Sequence, residues 1–229
     1  MPGHMLLAGG AEFGGRMAEP DIRAIELAGG ADARISMIAT AAAPDHNHER
    51  AGRNGVRWFE SLGARNVAAL PLIDRASAAS PAIVAALRDS RLIYLLGGFP
   101  HYLGQTLLGS ASWHAILAAH QAGALVAGSS AGAMVLCQHY YNPDSSKVVE
   151  GLAMLPNACV LPHHNTFGKG WAARLAALLP ESVLLGIDER TAMLDDGAGG
   201  AWRVYGQGAV TLYRQGQATA YASGAQFEL

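Results

Sequence analysis

Cysteine, net charge and long hydrophobic runs are all scarce in this chain of 229 residues. The two cysteines, Cys137 and Cys159, belong to no C-x-x-C motif, which excludes a disulfide framework and favours a reducing compartment. A formal net charge of −2 provides no basic surface for nucleic acid or an anionic membrane. No apolar run reaches the ~18 residues of a transmembrane helix, and residues 1–10 lack the charged and apolar regions of a signal peptide. We therefore expect a cytoplasmic protein that binds neither nucleic acid nor membrane.

Residues with the spacing of metal ligands are few as well. The segment from Asp45 to His48 suggests a metal site because it holds two histidines and a carboxylate. However, Pro44-Asp45 is typical of a helix start, which would put Asp45 near the N-cap and both histidines in the first turn. No three ligands in the chain have the spacing of a catalytic zinc site. We expect no metal and no cofactor.

Hydrophobic residues are abundant at 51% of the chain, which is enough for a sizeable core. Short apolar runs alternate with longer amphipathic or alanine-rich segments, a pattern typical of an α/β fold with a parallel sheet covered on both faces. The predicted strands are Met5–Ala8, Ile35–Thr40, Val67–Leu70, Leu92–Leu96, Ala124–Ala127, Cys159–Leu161 and Leu184–Ile187. The predicted helices are Asp21–Ala28, His46–Leu62, Pro81–Arg88, His101–Leu108, Trp113–Ala122, Ala131–Gln138 and Lys169–Leu179.

The C-terminal part of the chain has a different pattern. Ala201–Tyr205, Ala209–Arg214 and Ala218–Ser223 are short segments separated by glycine-containing turns, which predicts antiparallel hairpin strands at the edge of the sheet. No internal repeat, linker or low-complexity tract divides the chain. We therefore expect residues 1–229 to form one domain.

The segment Gly128-Ser129-Ser130-Ala131-Gly132 fits the pattern G-x-S-x-G. A predicted strand leads into it and a predicted helix leaves it, as in a nucleophile elbow, where small neighbours tolerate a strained central serine. The sequence therefore predicts Ser130 as a nucleophile. The alternative is an ordinary strand-to-helix turn with a serine as N-cap.

A nucleophilic serine needs a base, and the base needs an orienting acid. His163 and His164 follow a predicted strand, and so do Asp188 and Glu189. Active sites of open α/β sheets lie at the carboxyl ends of strands, so one histidine and one carboxylate from these pairs complete a triad. The alternatives are exposed loop histidines and a solvated turn carboxylate.

A glycine pair also follows the predicted strand Leu92–Leu96. The N–H groups of Gly98 and Ala131 are candidates for an oxyanion hole, because glycine permits a close backbone approach. The next residue, Phe99, predicts an apolar wall beside this site.

Several segments, in order along the chain, resemble motifs of the cyanophycinase and dipeptidase E (aspartyl dipeptidase) family of serine peptidases. The elbow resembles its G-[TS]-S-A-G-A motif, and the segment from position 186 to 192 resembles its G-I-D-E-x-T-A motif. The further matches are Leu95-Leu96-Gly97-Gly98, Pro162-His163 and Gly206-Gln207-Gly208-Ala209-Val210.

The resemblance implies a flavodoxin-like three-layer α/β sandwich related to class I glutamine amidotransferases, with serine at the elbow. It also implies Ser130 as nucleophile, His163 as base and Glu189 as acid. The polymer-degrading branch of the family has D-Q-H-F followed by several arginines, whereas here only Lys169 and Arg174 are basic between His163 and the next strand.

This difference favours a small peptide, in particular an Asp-X dipeptide, as the partner. Its carboxylate would then be bound by Lys169, Arg174 or Arg190. The alternatives are a cyanophycinase-like isoaspartyl peptidase, an esterase or amidase, and a non-catalytic binding protein on the same fold. Nothing in the sequence decides the oligomeric state, and a homodimer is compatible with it.

Overall fold

The computed structural model describes residues 2–229. In chain order the strands are β1 (Met5–Ala8), β2 (Ile35–Ile38), β3 (Val67–Leu70), β4 (Leu92–Leu95), β5 (Leu125–Ser129), β6 (His139–Asn142), β7 (Lys147–Glu150), β8 (Ala158–Leu161), β9 (Val183–Ile187), β10 (Thr191–Leu194), β11 (Trp202–Gly206), β12 (Ala209–Arg214), β13 (Gln217–Ala222) and β14 (Gln226–Phe227). The helices are α1 (Ala18–Leu27), α2 (His48–Ser61), α3 (Pro81–Arg88), α4 (Pro100–Leu107), α5 (Ala111–Gln121), α6 (Ala131–Leu136) and α7 (Ala172–Leu178). None of these helices is long and apolar enough to cross a membrane.

An eight-stranded sheet forms the centre of the fold, with the strand order β14-β11-β10-β1-β5-β4-β2-β3. Strands β1, β5, β4, β2 and β3 run parallel, while β10, β11 and β14 add antiparallel pairs at one side. The predicted α/β class, a mostly parallel sheet with antiparallel C-terminal strands, is confirmed.

Helices cover both faces of this sheet. Leu7 and Val126 point into a core shared with α3, α4, α5 and α6. Their neighbours Leu6 and Ala127 point into the opposite core, which α1 and α2 cover. Because neighbouring side chains of a strand point to opposite faces, a strand buried on both faces is apolar throughout, as the sequence pattern indicated.

A second, four-stranded sheet has the order β13-β12-β9-β8. Of the seven apolar strands that the sequence predicts, five lie in the large sheet and two, β8 and β9, lie in this second sheet. Strands β8 and β9 pair in parallel with each other. The other edge of β9 pairs with β12, which forms an antiparallel hairpin with β13, and β9 does not pair with β1. Apolar composition predicts burial of a strand but not its pairing partner.

Some local features were missed or misplaced by the sequence analysis. Strand β10 and the hairpin of β6 and β7 were not predicted. Helix α2 begins at His48 with Asn47 at its N-cap, so the predicted start at His46 is two residues too early and His46 lies outside the first turn. The segment predicted as one helix from Lys169 begins as a 3-10 turn over Gly168–Trp171 and becomes α7 only at Ala172.

The carboxyl ends of three adjacent parallel strands meet at one edge of the large sheet. The loop of residues 9–12 follows β1, Ser130 follows β5, and residues 97–99 follow β4. The loops after β8 and β9 carry His163 and Glu189. The topology therefore gathers five loops around one point, where open α/β sheets hold their sites.

Candidate active site

Ser130 lies in the sharp turn between β5 and α6. Its φ of 49° and ψ of −112° are strained for a residue with a side chain. The backbones on either side approach closely: a Cβ at Gly128 would lie 2.5 Å from the carbonyl carbon of Gly132, and a Cβ at Gly132 would lie 2.1 Å from the oxygen of Leu95. The two glycines are therefore required for this turn, which has the geometry of a nucleophile elbow.

The Ser130 hydroxyl lies 3.0 Å from Nε2 of His163. On the other side of the same imidazole, Nδ1 lies 2.8 Å from Oε1 of Glu189. The side chains of His163 and Glu189 are 21% and 34% exposed, so the relay is accessible to a substrate. The structure thus brings the serine, the histidine and the glutamate together in one hydrogen-bonded row, which is the arrangement of a serine-histidine-acid triad.

The loop after β1 holds the imidazole in place. The N–H of His163 donates to the carbonyl of Gly9 at 2.7 Å, and the N–H of Arg190 donates to the carbonyl of Gly10 at 2.9 Å. The ring packs directly on Gly10, whose φ is 116°. The loops that carry His163 and Glu189 are therefore both tied to the loop after β1.

The neighbouring residues Asp188 and His164 form a separate pair. Nδ1 of His164 lies 3.4 Å from Oδ1 of Asp188, and Nε2 lies 2.8 Å from the hydroxyl of Tyr213. His164 is 5% exposed, and burial lowers its pKa against the smaller opposing effect of Asp188. Asp188 also accepts a hydrogen bond from the N–H of Ala209 at 2.9 Å. Of the two acids that the residues alone left open, Glu189 is the one beside His163.

The loop after β4 packs against the elbow. A Cβ at Gly97 would lie 3.3 Å from the Cβ of Ser130. The following residue, Gly98, has a φ of 138°, and the N–H of Phe99 donates to the carbonyl of Ala41 at 2.8 Å, which holds the loop. Among residues 2–229, no acceptor takes a hydrogen bond from the N–H of Gly98 or of Ala131. Two backbone N–H groups without an acceptor therefore lie in the loops that meet at Ser130.

The predicted substrate-binding residues lie at different distances from this row. Phe99 is 38% exposed at the start of α4, next to the glycine pair. Lys169 faces a groove between α7 and β12 on the Tyr213 side. The guanidinium of Arg174 lies over the ring of Tyr141 and within 3.4 Å of its hydroxyl. Within residues 2–229, neither Lys169 nor Arg174 forms a hydrogen bond or an ion pair with Ser130, His163 or Glu189.

An aromatic residue at the site was missed by the sequence analysis. Phe167 stacks on the ring of His163, with centroids 4.9 Å apart and planes at 23°. It is 53% exposed and packs in turn on Trp171. No pattern distinguishes Phe167 from other loop aromatics, because its role depends on the turn that brings it back over the histidine.

A charged residue beside the elbow was missed as well. The hydroxyl of Ser129, which is fully buried, donates to Oε2 of Glu12 at 2.8 Å. Glu12 lies in the loop after β1, four residues beyond the strand end at Ala8, and a carboxylate in a loop at the carboxyl end of a strand was the available signal. Glu12 also lines a cleft that continues along α2.

The histidines near Asp45 do not gather further ligands. His46 lies in the turn before α2, and His48 is the first residue of the helix. In the described part of the chain, no group of three His, Cys, Asp or Glu side chains is placed to hold a metal ion.

Comparison with known sequences identifies the family. The profile of peptidase family S51 matches residues 5–200. A cyanophycinase from Nostoc sp. is 31% identical over 199 residues, which are 81% of this chain and 64% of the relative. A cyanophycinase from Synechococcus elongatus is 30% identical over 227 residues, which are 92% of this chain and 67% of the relative. The chain thus spans less than two thirds of the length of the Nostoc protein.

Solved structures support the same assignment. The crystal structure of a peptidase from an acI-B1 Actinobacterium matches with a TM-score of 0.90 and 32% identity, over 100% of this chain and 98% of the other. A putative peptidase E protein from Listeria monocytogenes matches with a TM-score of 0.61 over 97% and 99% of the two chains; at 18% identity it supports the fold alone. The resemblance seen in the sequence motifs is therefore confirmed, and this chain belongs to peptidase family S51.

Proposed function

We propose that the protein is a serine peptidase that hydrolyses short peptides through an acyl-enzyme intermediate. The observation that carries this proposal is the row from Ser130 to His163 to Glu189, with contacts of 3.0 and 2.8 Å at the carboxyl end of the parallel strands. Nucleophile, base and orienting acid at hydrogen-bond distance are what acyl transfer by serine requires.

In the acylation step, Nε2 of His163 takes the hydroxyl proton while Oγ of Ser130 attacks the scissile carbonyl carbon. The negative charge that develops on the carbonyl oxygen is stabilised by the free N–H groups of Gly98 and Ala131. Each such donor contributes roughly 3–4 kcal/mol in comparable enzymes. His163 then gives the proton to the leaving amine as the peptide bond breaks.

Deacylation repeats these steps with water as the nucleophile. His163 takes a proton from the water, the water oxygen attacks the acyl carbon, and the proton returns to Oγ of Ser130. Glu189 keeps the proton of the imidazole on Nδ1 and stabilises the imidazolium that forms in both steps.

The preferred substrate is an Asp-X dipeptide or a similarly short acidic peptide. The chain has a single arginine, Arg174, between His163 and the next strand, where the polymer-degrading branch has several. Phe99 and Phe167 border the relay with exposed apolar faces. Hydrolysis of a β-linked Asp-Arg peptide is the second candidate, because the relatives that are 30–31% identical are cyanophycinases.

A fluorophosphonate probe and a peptide panel test this function. We expect the probe to label the wild-type protein at Ser130, and Asp-Leu to be cleaved faster than Ala-Leu, Leu-Leu or β-Asp-Arg. Preference for Leu-Leu would contradict the acidic substrate but keep the peptidase, and a faster β-Asp-Arg would select the second candidate. A protein that is neither labelled at Ser130 nor active on any peptide would overturn the proposal.

A further inference from the structure

A cleft opens directly beside the elbow, on the side of Gly97. It has a volume of about 420 Å³ and is lined by residues of the β1 loop, of α2 and of the strand end before Gly97. Its polar lining residues are Glu12, Asn47, Arg50 and Asn54. A second cavity of about 390 Å³ continues from it and shares Glu12 and Asn54. The relay described above uses none of these side chains.

Only Gly97 separates the cleft from Ser130. The Cβ position of Gly97 is 3.3 Å from the Cβ of Ser130 and 3.7 Å from Oε1 of Glu12. A group bound to Ser130 therefore has the carboxylate of Glu12 as a close neighbour across a residue that has no side chain.

The reaction determines which half of a peptide lies in this cleft. Because Nε2 of His163 protonates the leaving amine, the amine half of the peptide lies toward the imidazole. In the loop after β1, Gly10 contacts that imidazole. Two residues later in the same loop, Glu12 lies beside Gly97. No atom of His163 lines the cleft. We therefore assign the cleft to the acyl half of the peptide, since the imidazole is not part of its lining.

The carboxylate of Glu12 is fixed in its position by a hydrogen bond. Oε2 accepts the hydrogen bond of the buried Ser129 hydroxyl, which fixes the carboxylate, whereas Oε1 has no hydrogen-bond partner within residues 2–229. A fixed carboxylate oxygen without a donor is suited to an ammonium group.

Arg50 carries the opposite charge on the same cleft. Its guanidinium forms no ion pair in the described part of the chain, whereas Arg53, three residues along α2, pairs with Glu49 at 3.3 Å. Glu12 and Arg50 also form no ion pair with each other within residues 2–229. Two opposite charges without a partner on one cleft match the charges of a ligand that bears an ammonium and a carboxylate on one residue.

We propose that Glu12 and Arg50 form the subsite for an N-terminal acidic residue of the substrate. Oε1 of Glu12 accepts from the free α-ammonium group, and the guanidinium of Arg50 binds the side-chain carboxylate with two hydrogen bonds. This inference rests on the proposed peptidase function and names the residues that select its substrate. It moves the carboxylate-binding role from Lys169 and Arg174 to α2.

The subsite is tested by binding, separately from catalysis. In a Ser130→Ala background, calorimetry measures the Kd of Asp-Leu for the parent and for added Arg50→Gln, Arg50→Lys and Arg53→Gln changes. We expect Arg50→Gln to weaken Asp-Leu binding about tenfold or more, Arg50→Lys to restore part of it, and the matched control Arg53→Gln to change nothing. Arg50→Gln should change the Kd of Asn-Leu only slightly, since the side-chain amide of Asn has no charge to lose an ion pair.

Glu12 is tested with the blocked peptide. N-acetyl-Asp-Leu lacks the ammonium group, so Glu12→Gln should weaken binding of Asp-Leu but not of N-acetyl-Asp-Leu. Far-ultraviolet circular dichroism of every variant checks the fold.

The outcomes distinguish the two proposals. Equal binding of Asp-Leu by the parent and the Arg50→Gln protein, or no binding of Asp-Leu by the parent, would overturn the subsite. Cleavage of peptides by wild-type protein would still support the peptidase in either case. Conversely, Arg50-dependent binding together with no labelling of Ser130 would keep the subsite and remove the serine mechanism.

Discussion

The imidazole of His163 rests on the backbone of Gly10, so closely that a Cβ at position 10 would lie 2.3 Å from its Cε1 atom. The imidazole that we propose as the base is therefore positioned by a glycine that is 153 residues away in the sequence (163 − 10 = 153). His163 itself has a φ of 49° and cannot move freely, because its N–H is bonded to Gly9.

Gly10→Ala should displace the imidazole and lower kcat at least ~100-fold, since a 1 Å error in catalytic geometry has effects of this size. The φ of 116° adds strain, so the melting temperature should fall as well. Rates of fluorophosphonate labelling and of Asp-Leu cleavage, measured on protein that is folded by circular dichroism, check this. An alanine variant with wild-type kcat would mean that the contact with Gly10 does not position the base.

Ser130→Ala should lower turnover by ~10³-fold or more, because it removes the oxygen that attacks the substrate. The fold should stay intact, because no other atom is lost. Ser129→Ala should be milder, since the Ser129 hydroxyl is buried and bonded to Glu12 instead of facing the relay. Single-turnover kinetics of both variants provide the measurement. The reverse order of effects would show that the neighbouring serine is the nucleophile.

The two adjacent acids should respond differently to substitution. Glu189→Gln should lower kcat roughly 10²–10⁴-fold with little effect on stability, because a half-exposed amide cannot stabilise the imidazolium. Asp188→Ala should instead lower the free energy of unfolding by ~1–3 kcal/mol, because it leaves the N–H of Ala209 without its acceptor. The kcat and the free energy of unfolding in urea, measured for both variants, test this difference. A Glu189→Gln protein with wild-type kcat would contradict the proposed role of Glu189 as the acid.

Asp21 should make stability depend on pH. It is fully buried, Trp58 donates to its Oδ2 at 2.7 Å, and burial raises its pKa from 3.8 to about 7. Between pH ~4 and 7 the unfolded chain loses this proton while the folded chain keeps it. The free energy of unfolding should therefore fall as pH rises through this range, by ~4 kcal/mol at most, and level off above it.

Asp21→Asn removes the ionisation while the amide oxygen can still accept from Trp58. Its stability relative to wild type should rise by ~2 kcal/mol between pH 5 and pH 8. Urea unfolding at both values measures this difference. Parallel pH curves for the two proteins would mean that Asp21 ionises with an ordinary pKa.

The sequence alone was sufficient for the class of fold and for the elbow. Strands buried on both faces must be apolar throughout, and an elbow needs its glycines whatever the rest of the fold does, so both leave local signals. The ten predicted strands and seven predicted helices are present, with differences of a few residues at their ends. The family motifs also directed attention to Ser130, His163 and Glu189 before any distance was known.

Only the tertiary structure decided which residues meet. It paired β8 with β9 in a second sheet, set Glu189 and not Asp188 beside His163, and left Arg174 on the ring of Tyr141. It also brought Glu12 and Arg50 to one cleft from a loop and a helix that share no motif. The physical reason is that composition and periodicity report whether a residue is buried, whereas the partner of a side chain depends on strand order and loop direction, which involve residues far apart in the chain.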